Sequence, residues 1–391
     1  KDSLTLEQCA MQKFPSTLHI ARELENLYAA EFGADILKIG EQQILELYLQ
    51  MVDPSLVPQG EKLLDRGLRA FWEIFTEPQG PGDRFLDAYF EQEKNTLEQD
   101  LKGLVNDKPF YALARFVALM CAQEPFGIYK SGDLGNLKHL ENKEVYEHYE
   151  TLMGEHPTDI FCVGPNLEDV ASLFASLIPK RAHTIELREP KKVQVNEERF
   201  FEETMDLNQA IVVMGYRTNC SYRDNDYYAL LVGNGILGGF AHSKLFMNVR
   251  EKASLAYSVG SHIEGSKGLL TITAGISDDQ QEKALAIIGD QVTACQAGQI
   301  SPDELEQTKR GLISAMISLG DSPAGIIDRN LIGVVEGEMR TIDQVVEAIR
   351  RVEHDDCVRV MERIQLDTTY LLRPGNTENT RDEEGEHHGE N

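Results

Sequence analysis

Two side chains suited to holding a polypeptide stand seven residues apart at Arg250 and Tyr257. A guanidinium presents its N–H donors in a fixed planar fork that fits peptide carbonyls or a carboxylate. A phenol beside it can donate to a carbonyl oxygen gaining negative charge, and losing one such donor commonly costs ~2.7–4 kcal/mol of transition-state stabilisation. The plainer reading pairs Arg250 with a local acid and packs Tyr257 as a strand aromatic. Other chemistries have less to work with. No Gly-x-Ser-x-Gly elbow is present. GNGILG at 233–238 matches Gly-x-Gly-x-x-Gly, but it is not held between the strand and helix of a βαβ unit, and no acidic residue sits on a following strand. The six cysteines, Cys9, Cys121, Cys162, Cys220, Cys295 and Cys357, form no Cys-x-x-Cys pair and read as reduced, buried thiols of a cytoplasmic protein. The ten histidines are dispersed; His139 and His148 share one expected helix but stand nine residues apart, not four.

The elements that must position Arg250 and Tyr257 lie in 233–260, GNGILGGFAHSKLFMNVREKASLAYSVG. Gly233, Gly235, Gly238 and Gly239 read as a turn, since glycine takes positive φ at little cost. Leu245, Phe246 and Val249 then fall at the spacing of a short amphipathic helix, and 256–261 reads as a strand.

Before this segment, within 14–37, the pattern predicts a helix that starts at Pro15-Ser16, with Ile20, Leu24, Leu27 and Tyr28 on its apolar face and Gly33 at its exit. A strand at 43–52 follows, then helices at 63–75, 85–105, 110–121 and 137–153, a buried strand at 159–163 and a helix at 167–178. The polar stretch 179–199, with Pro190, reads as an inter-lobe linker. In the second half 209–215 and 268–275 read as strands. Helices follow at 280–295, 302–319, 342–349 and 355–364, and a strand at 368–372 closes the fold. The tail from Gly375 has no apolar residue and reads as disordered; His387 and His388 in it offer only adventitious metal contacts.

With 391 residues, 41% hydrophobic and 26% charged, the chain is long enough for two or three cores. A net charge of −27 argues against nucleic acid and anionic membrane as partners, and would attract a basic peptide. No apolar run approaches the ~20 residues of a membrane span, and no signal-peptide pattern is visible.

Internal repetition points to two related lobes. Glu91-Gln92-x-Lys94-x-x-Leu97 matches Glu306-Gln307-x-Lys309-x-x-Leu312 at an offset of 215, and Leu137, Leu140, Glu141 and Val145 match Ile349, Val352, Glu353 and Cys357 at an offset of 212. The run LFMNVREKASLAYSV closely resembles the second-lobe signature of the pitrilysin/insulinase/processing-peptidase family, the inverzincins. PSTLHIARELENLYA resembles the segment after that family's zinc helix, EPFGIYKSGDLGNLKHL its central first-lobe segment, and ISPDELEQTKRGLISAM its late second-lobe helix. The resemblance covers nearly the whole chain.

It implies an α+β fold of two homologous lobes, each a mainly antiparallel sheet with helices on one face, facing across a cleft: a first lobe over 1–185, a second over 186–374, and an acidic tail at 375–391. It also implies that Arg250 and Tyr257 hold substrate backbone. The family's activity needs His-x-x-Glu-His and a later glutamate. Two histidines one helical turn apart bind zinc while the glutamate between them activates water. That motif is absent, as is His-Glu-x-x-His. Ungapped alignment from Pro15 puts it on Lys1 to Thr5, KDSLT, and puts the later glutamate on Asp100, seven residues after Glu93. The expectation is a small, bacterial-type, zinc-less homologue with no cofactor. It would pair with a zinc-bearing homologous subunit, or with itself, around a peptide or unfolded polypeptide. The alternatives are a stand-alone dimeric peptide-binding or assembly protein, and a zinc metallopeptidase whose metal motif lies upstream of Lys1.

Overall fold

The computed structural model describes residues 17–165, 167–178 and 192–375. Its elements begin with α1 (Thr17–Asn26), β1 (Glu31–Ile39), β2 (Gln42–Gln50), α2 (Gly60–Thr76), α3 (Asp87–Gly103), α4 (Lys108–Met120), α5 (Leu134–His139), α6 (Asn142–Glu155) and α7 (Leu167–Leu177). They continue with β3 (Arg199–Met205), β4 (Ala210–Arg217), α8 (Tyr227–Asn234), β5 (Ala256–Glu264), β6 (Leu269–Ile276), α9 (Gln281–Gln296), α10 (Pro302–Leu319), α11 (Pro323–Glu336), α12 (Ile342–Arg351), α13 (His354–Met361) and β7 (Gln365–Pro374). The fold is α+β, with two sheets. Two compact units divide the chain. The first comprises Lys1–Leu104, Tyr129–Arg188 and Pro323–Val335, the second Val105–Ile128, Glu189–Ser322 and Glu336–Asn391.

In the first unit β1 and β2 form an antiparallel hairpin turned at Gly40, whose φ of 54° favours glycine. Phe32, Leu47 and Leu49 of the hairpin pack on Leu68 and Phe71 of α2 and on Val170 and Phe174 of α7. Ile20 of α1 is fully buried beside Ala70 and Ile74 of α2. Farther along, Tyr149 of α6 donates its hydroxyl to the Phe75 carbonyl at 2.8 Å.

The second unit is built on a five-stranded sheet of order β3-β7-β4-β6-β5, in which only the β3–β7 pair is parallel. Every residue of AIVVMGYR in β4 is buried, as a strand covered on both faces requires. Val212, Met214 and Tyr216 face the layer of α8, α9, α12 and α13. Ile211 and Val213 face Ala112, Phe116 and Met120 of α4. Gly215 makes this possible: a Cβ there would lie 2.2 Å from the Phe116 ring.

Charge also clasps the α4 segment to the sheet. Arg217, 4% exposed, donates to Asp367 at 2.7 Å and to Glu124 at 2.6 and 3.1 Å. Lys267, 1% exposed, reaches Glu124 at 2.6 Å, and Arg199 also bonds Asp367. Asp367 is the residue skipped where the β4–β7 register shifts, so a bulge delivers its carboxylate to the two arginines. Burial alone would raise the Glu124 and Asp367 carboxyls. The hydrogen bonds from Arg217 and Lys267, and from Arg199 and Arg217, outweigh it and hold both below their usual values. A second clasp joins Arg115 and Tyr111 of α4, and Tyr370 of β7, to Glu203 of β3.

Both halves of the sequence run helix, two strands, then five helices: α1-β1-β2-α2-α3-α4-α5-α6 and α8-β5-β6-α9-α10-α11-α12-α13. Asp87 and Pro302 open α3 and α10, and Lys108 and Pro323 open α4 and α11, each pair 215 apart. Lys94 donates to the Leu140 carbonyl at the end of α5 at 2.8 Å, and Lys309 to the Val352 carbonyl at the end of α12 at 3.1 Å. These are the residues matched in the sequence repeat, and each lysine satisfies a carbonyl that a helix end leaves without a partner.

Several sequence expectations give way. The first helix stops at Asn26; Tyr28 and Ala29 turn left-handed at φ 60° and 57°, and the stretch through Gly33 is strand β1. Pairing with β2 overrides the helical spacing there, and Tyr28 is exposed rather than on a core face. The expected 137–153 helix is two, α5 and α6, broken at Leu140 and Glu141, so His139 and His148 lie on different helices. Residues 159–163 form no strand, and Ile160 and Val163 are exposed. The sequence pattern carries no expectation of β3, α8 or α11. Cys121, Cys220, Cys295 and Cys357 are buried, and burial pushes their thiols up to about 12; Cys162 is exposed. Lys1 to Thr5, Cys9, most of the expected linker and the tail from 376 lie outside the described residues.

Candidate functional site

α8 runs directly into a π-helical segment, Gly235–Gly239, and a second π-helical segment, Phe246–Lys252, precedes β5. The glycines are therefore helical, and none of Gly233, Gly235, Gly238 and Gly239 has positive φ. Close packing, not a turn, requires them. A Cβ on Gly238 would fall 2.6 Å from the backbone nitrogen of Ser261 in β5; one on Gly235 would fall 2.5 Å from Thr308, and one on Gly233 2.9 Å from Met361. Wide helical turns of this kind are rare and recur at functional sites.

The loop between these segments is fastened to α10. The Phe240 ring fills the space left by Gly235 and Gly311. His242 stacks on that ring at 5.3 Å and shares a hydrogen bond with Thr308 at 3.0 Å, and Lys244 pairs with Glu304 at 2.8 Å. Asn248 donates to Gln291 of α9 at 2.6 Å, while Leu245 and Val249 are fully buried. The outward face of Phe246–Lys252 is thus rigidly presented.

Arg250 lies on that face. Its guanidinium sits 4.7 Å over the Phe246 ring, and its side chain is 45% exposed. The nearest acid, Glu251, is 3.9 Å away, beyond hydrogen-bonding distance. Ser254 donates to the Arg250 carbonyl and Leu255 to the Val249 carbonyl, so the helix end and the start of β5 are tied together through the backbone. Tyr257 is the extra residue at a bulge: the β5–β6 register passes from Ala256↔Ile276 to Ser258↔Gly275. Bulges re-aim side chains, and Tyr257 is 72% exposed. Its hydroxyl has no hydrogen-bond partner among the described residues. Phe246 was missed as a participant; its signal was the i,i+4 spacing to Arg250.

The metal half offers nothing comparable. Asp100 lies exposed on α3. Among the described residues no group of three His, Cys, Asp or Glu is placed to hold a metal ion. The described residues do not fit a zinc ion. No helix among them is long and apolar enough to cross a membrane.

Residues 139–312 match the family described as Peptidase M16 inactive domain. The chain is 32% identical over 364 residues to "Probable inactive metalloprotease YmfF" of Bacillus subtilis (strain 168), spanning 92% of this chain and 85% of that protein. The chain belongs to the M16 peptidase family. Among solved structures it resembles a conserved protein from Enterococcus faecalis V583, with a TM-score of 0.86 and 27% identity over 95% of this chain and 88% of that one. It is also 26% identical over 187 residues to the mitochondrial-processing peptidase subunit alpha of Caenorhabditis elegans, 44% of this chain and 36% of that protein. This M16 chain is an inactive homologue of the peptidases, and the likeness to the pitrilysin/insulinase/processing-peptidase pattern extends through its fold.

Proposed function

We propose that this M16 homologue is a non-catalytic, peptide-binding subunit that pairs with a zinc-bearing homologous subunit. The observation that carries the reading is Tyr257, turned outward on a bulge with an unengaged hydroxyl, one backbone-tied step from Arg250. A tyrosine kept for packing would be buried, and an arginine kept for stability would find a closer acid than Glu251 at 3.9 Å. Both side chains offer donors to a peptide backbone. The net charge of −27 favours a basic or unfolded basic segment as the bound polypeptide. The likeness to a processing-peptidase subunit supports pairing. On this reading the duplicated halves run over 1–185 and 186–374, and the protein works in the cytoplasm.

The test uses the complex with a zinc-bearing partner recovered from the native source. Arg250→Ala and Tyr257→Phe leave folding and pairing intact and slow peptide cleavage, or weaken peptide binding, by at least ~tenfold, about 1.4 kcal/mol. Unchanged binding and turnover in both variants return the two residues to a structural role. Purification as a homodimer without a zinc-bearing companion would favour a stand-alone peptide-binding protein.

A further inference from the structure

A second cleft in the second unit uses neither Arg250 nor Tyr257. It has a volume of about 510 Å3 and lies between the stretch leading into β3, helix α9 and the start of β7. That is within the ~300–1,000 Å3 usual for ligand sites. Its apolar lining comes from Val292, Ile364 and Leu366, and Glu197 and Glu198 line it as well. No basic residue is among the lining residues. Neither glutamate has an ion pair or hydrogen bond among the described residues.

Tyr216 also lines this cleft. It is only 5% exposed, yet its hydroxyl has no hydrogen-bond partner among the described residues. The hydroxyl is not sealed from solvent, so this otherwise buried side chain opens its one polar atom on the cleft, free to engage a ligand there. Burial, with the charge of Glu198 second, raises its pKa, so the hydroxyl stays protonated and can accept from a cation while donating to a carboxylate.

We propose that this cleft binds an alkyl cation, an ammonium or guanidinium on an aliphatic stem. The stem lies along Val292, Ile364 and Leu366, and the charged head meets Glu197, Glu198 and the Tyr216 hydroxyl. An amphipathic cation buries its methylenes on apolar surface and keeps its head on polar groups. Charge-assisted hydrogen bonds to carboxylates are the stronger kind. The ligand's source is either a free polyamine-like molecule or a lysine or arginine side chain of a polypeptide.

Gly289 of α9 supplies a clean test, because a Cβ there meets no atom within 4 Å and so projects into open space along the cleft. Isothermal titration calorimetry on the full chain uses three probes: agmatine, the blocked tripeptide Ac-Ala-Arg-Ala-amide, and its neutral citrulline counterpart. Agmatine or the arginine peptide should bind saturably at one site, with the citrulline peptide at least ~tenfold weaker. Gly289→Leu and the double variant Glu197→Gln/Glu198→Gln should each reduce binding at least ~tenfold, and Tyr216→Phe several-fold. All should melt as the parent does. Tighter binding of agmatine assigns a small-molecule source, and tighter binding of the peptide a polypeptide one. No saturable binding of either cation up to about 10 mM, equal binding of the citrulline peptide, or binding that survives both Gly289→Leu and the double glutamate variant overturns the proposal.

Discussion

Replacing Glu124 by glutamine tests the charge clasp between the α4 segment and the sheet. The carboxylate accepts from Arg217 at 2.6 and 3.1 Å and from Lys267 at 2.6 Å. Glutamine keeps the shape but removes the charge, and its amide turns a donor toward one of the cations. Arg217 then shares Asp367 with Arg199, and Lys267 loses the carboxylate it faces. Breaking a buried ion pair from one side costs ~3–5 kcal/mol. Glu124 is 15% exposed and glutamine retains one acceptor, so the lower end, about 3 kcal/mol, applies. With a urea m-value of about 3 kcal/mol/M, the midpoint falls by ~1 M. The pH dependence supplies an internal control. The folded-state pKa of Glu124 is depressed, so its stabilisation is present above the unfolded value of about 4.3 and is lost as pH falls through the folded value. The gap between parent and variant should therefore be full at neutral pH and close in acid. A gap under about 1 kcal/mol at pH 7, or one that does not narrow on acidification, refutes the account of the clasp.

Four further outcomes are expected. Gly238→Ala should destabilise the protein by about 1–3 kcal/mol in urea melts, because its methyl meets the Ser261 backbone, which cannot swing away; an unchanged midpoint would mean β5 does not rest on the π-helical segment. Tyr257→Phe should alter stability by less than about 0.5 kcal/mol, as suits an exposed side chain without partners, and a larger loss would uncover a hidden contact. Lys94→Met and Lys309→Met should each cost about 1 kcal/mol by freeing a helix-terminal carbonyl, and unequal effects would argue against equivalent roles in the two repeats. Metal analysis after removal of the histidine-bearing tail should find no tightly held zinc, and one zinc per chain would end the non-catalytic reading.

The features visible in the sequence were those set by local periodicity. Helix α9 buries Ala284, Ile288, Val292 and Cys295 on one stripe, α3 and α10 half-bury one face each, and α10 begins with a capping box from Ser301 and Glu304. The repeat was visible because Lys94 and Lys309 perform the same bond in each half. What failed depended on distant partners. β1 has the spacing of a helix until β2 pairs with it. The glycines at 233–239 permit either a turn or tight packing, and only Ser261, Thr308 and Met361, far along the chain, decide between them. At the site, Arg250 and Tyr257 could be singled out through the resemblance of LFMNVREKASLAYSV to the family's second-lobe signature, but the bulge that exposes Tyr257 depends on the register with Ile276 and Gly275. Asp367 and Glu124 carried no signal, because an acid in a strand or a loop reads as a solvated surface until its arginine is known.

The reciprocal placement of α4 and α11 bears on how such a gene can be divided. Each half of the sequence contributes the corresponding helix, at the same offset of 215, to the unit mainly built by the other half. Cutting the coding sequence at the midpoint therefore does not release two self-sufficient products. The C-terminal fragment would keep its sheet but uncover Ile211, Val213, Tyr370 and Leu372 where α4 belongs, and the N-terminal fragment would carry Ala112, Phe116 and Met120 with no sheet to cover. Such fragments suit complementation: co-expressed, they have complementary apolar faces and a charge clasp to reunite them, whereas either alone presents a sticky surface to the cell. A duplication fixed in this form cannot easily shed one copy, because loss of either half strips a helix from the survivor.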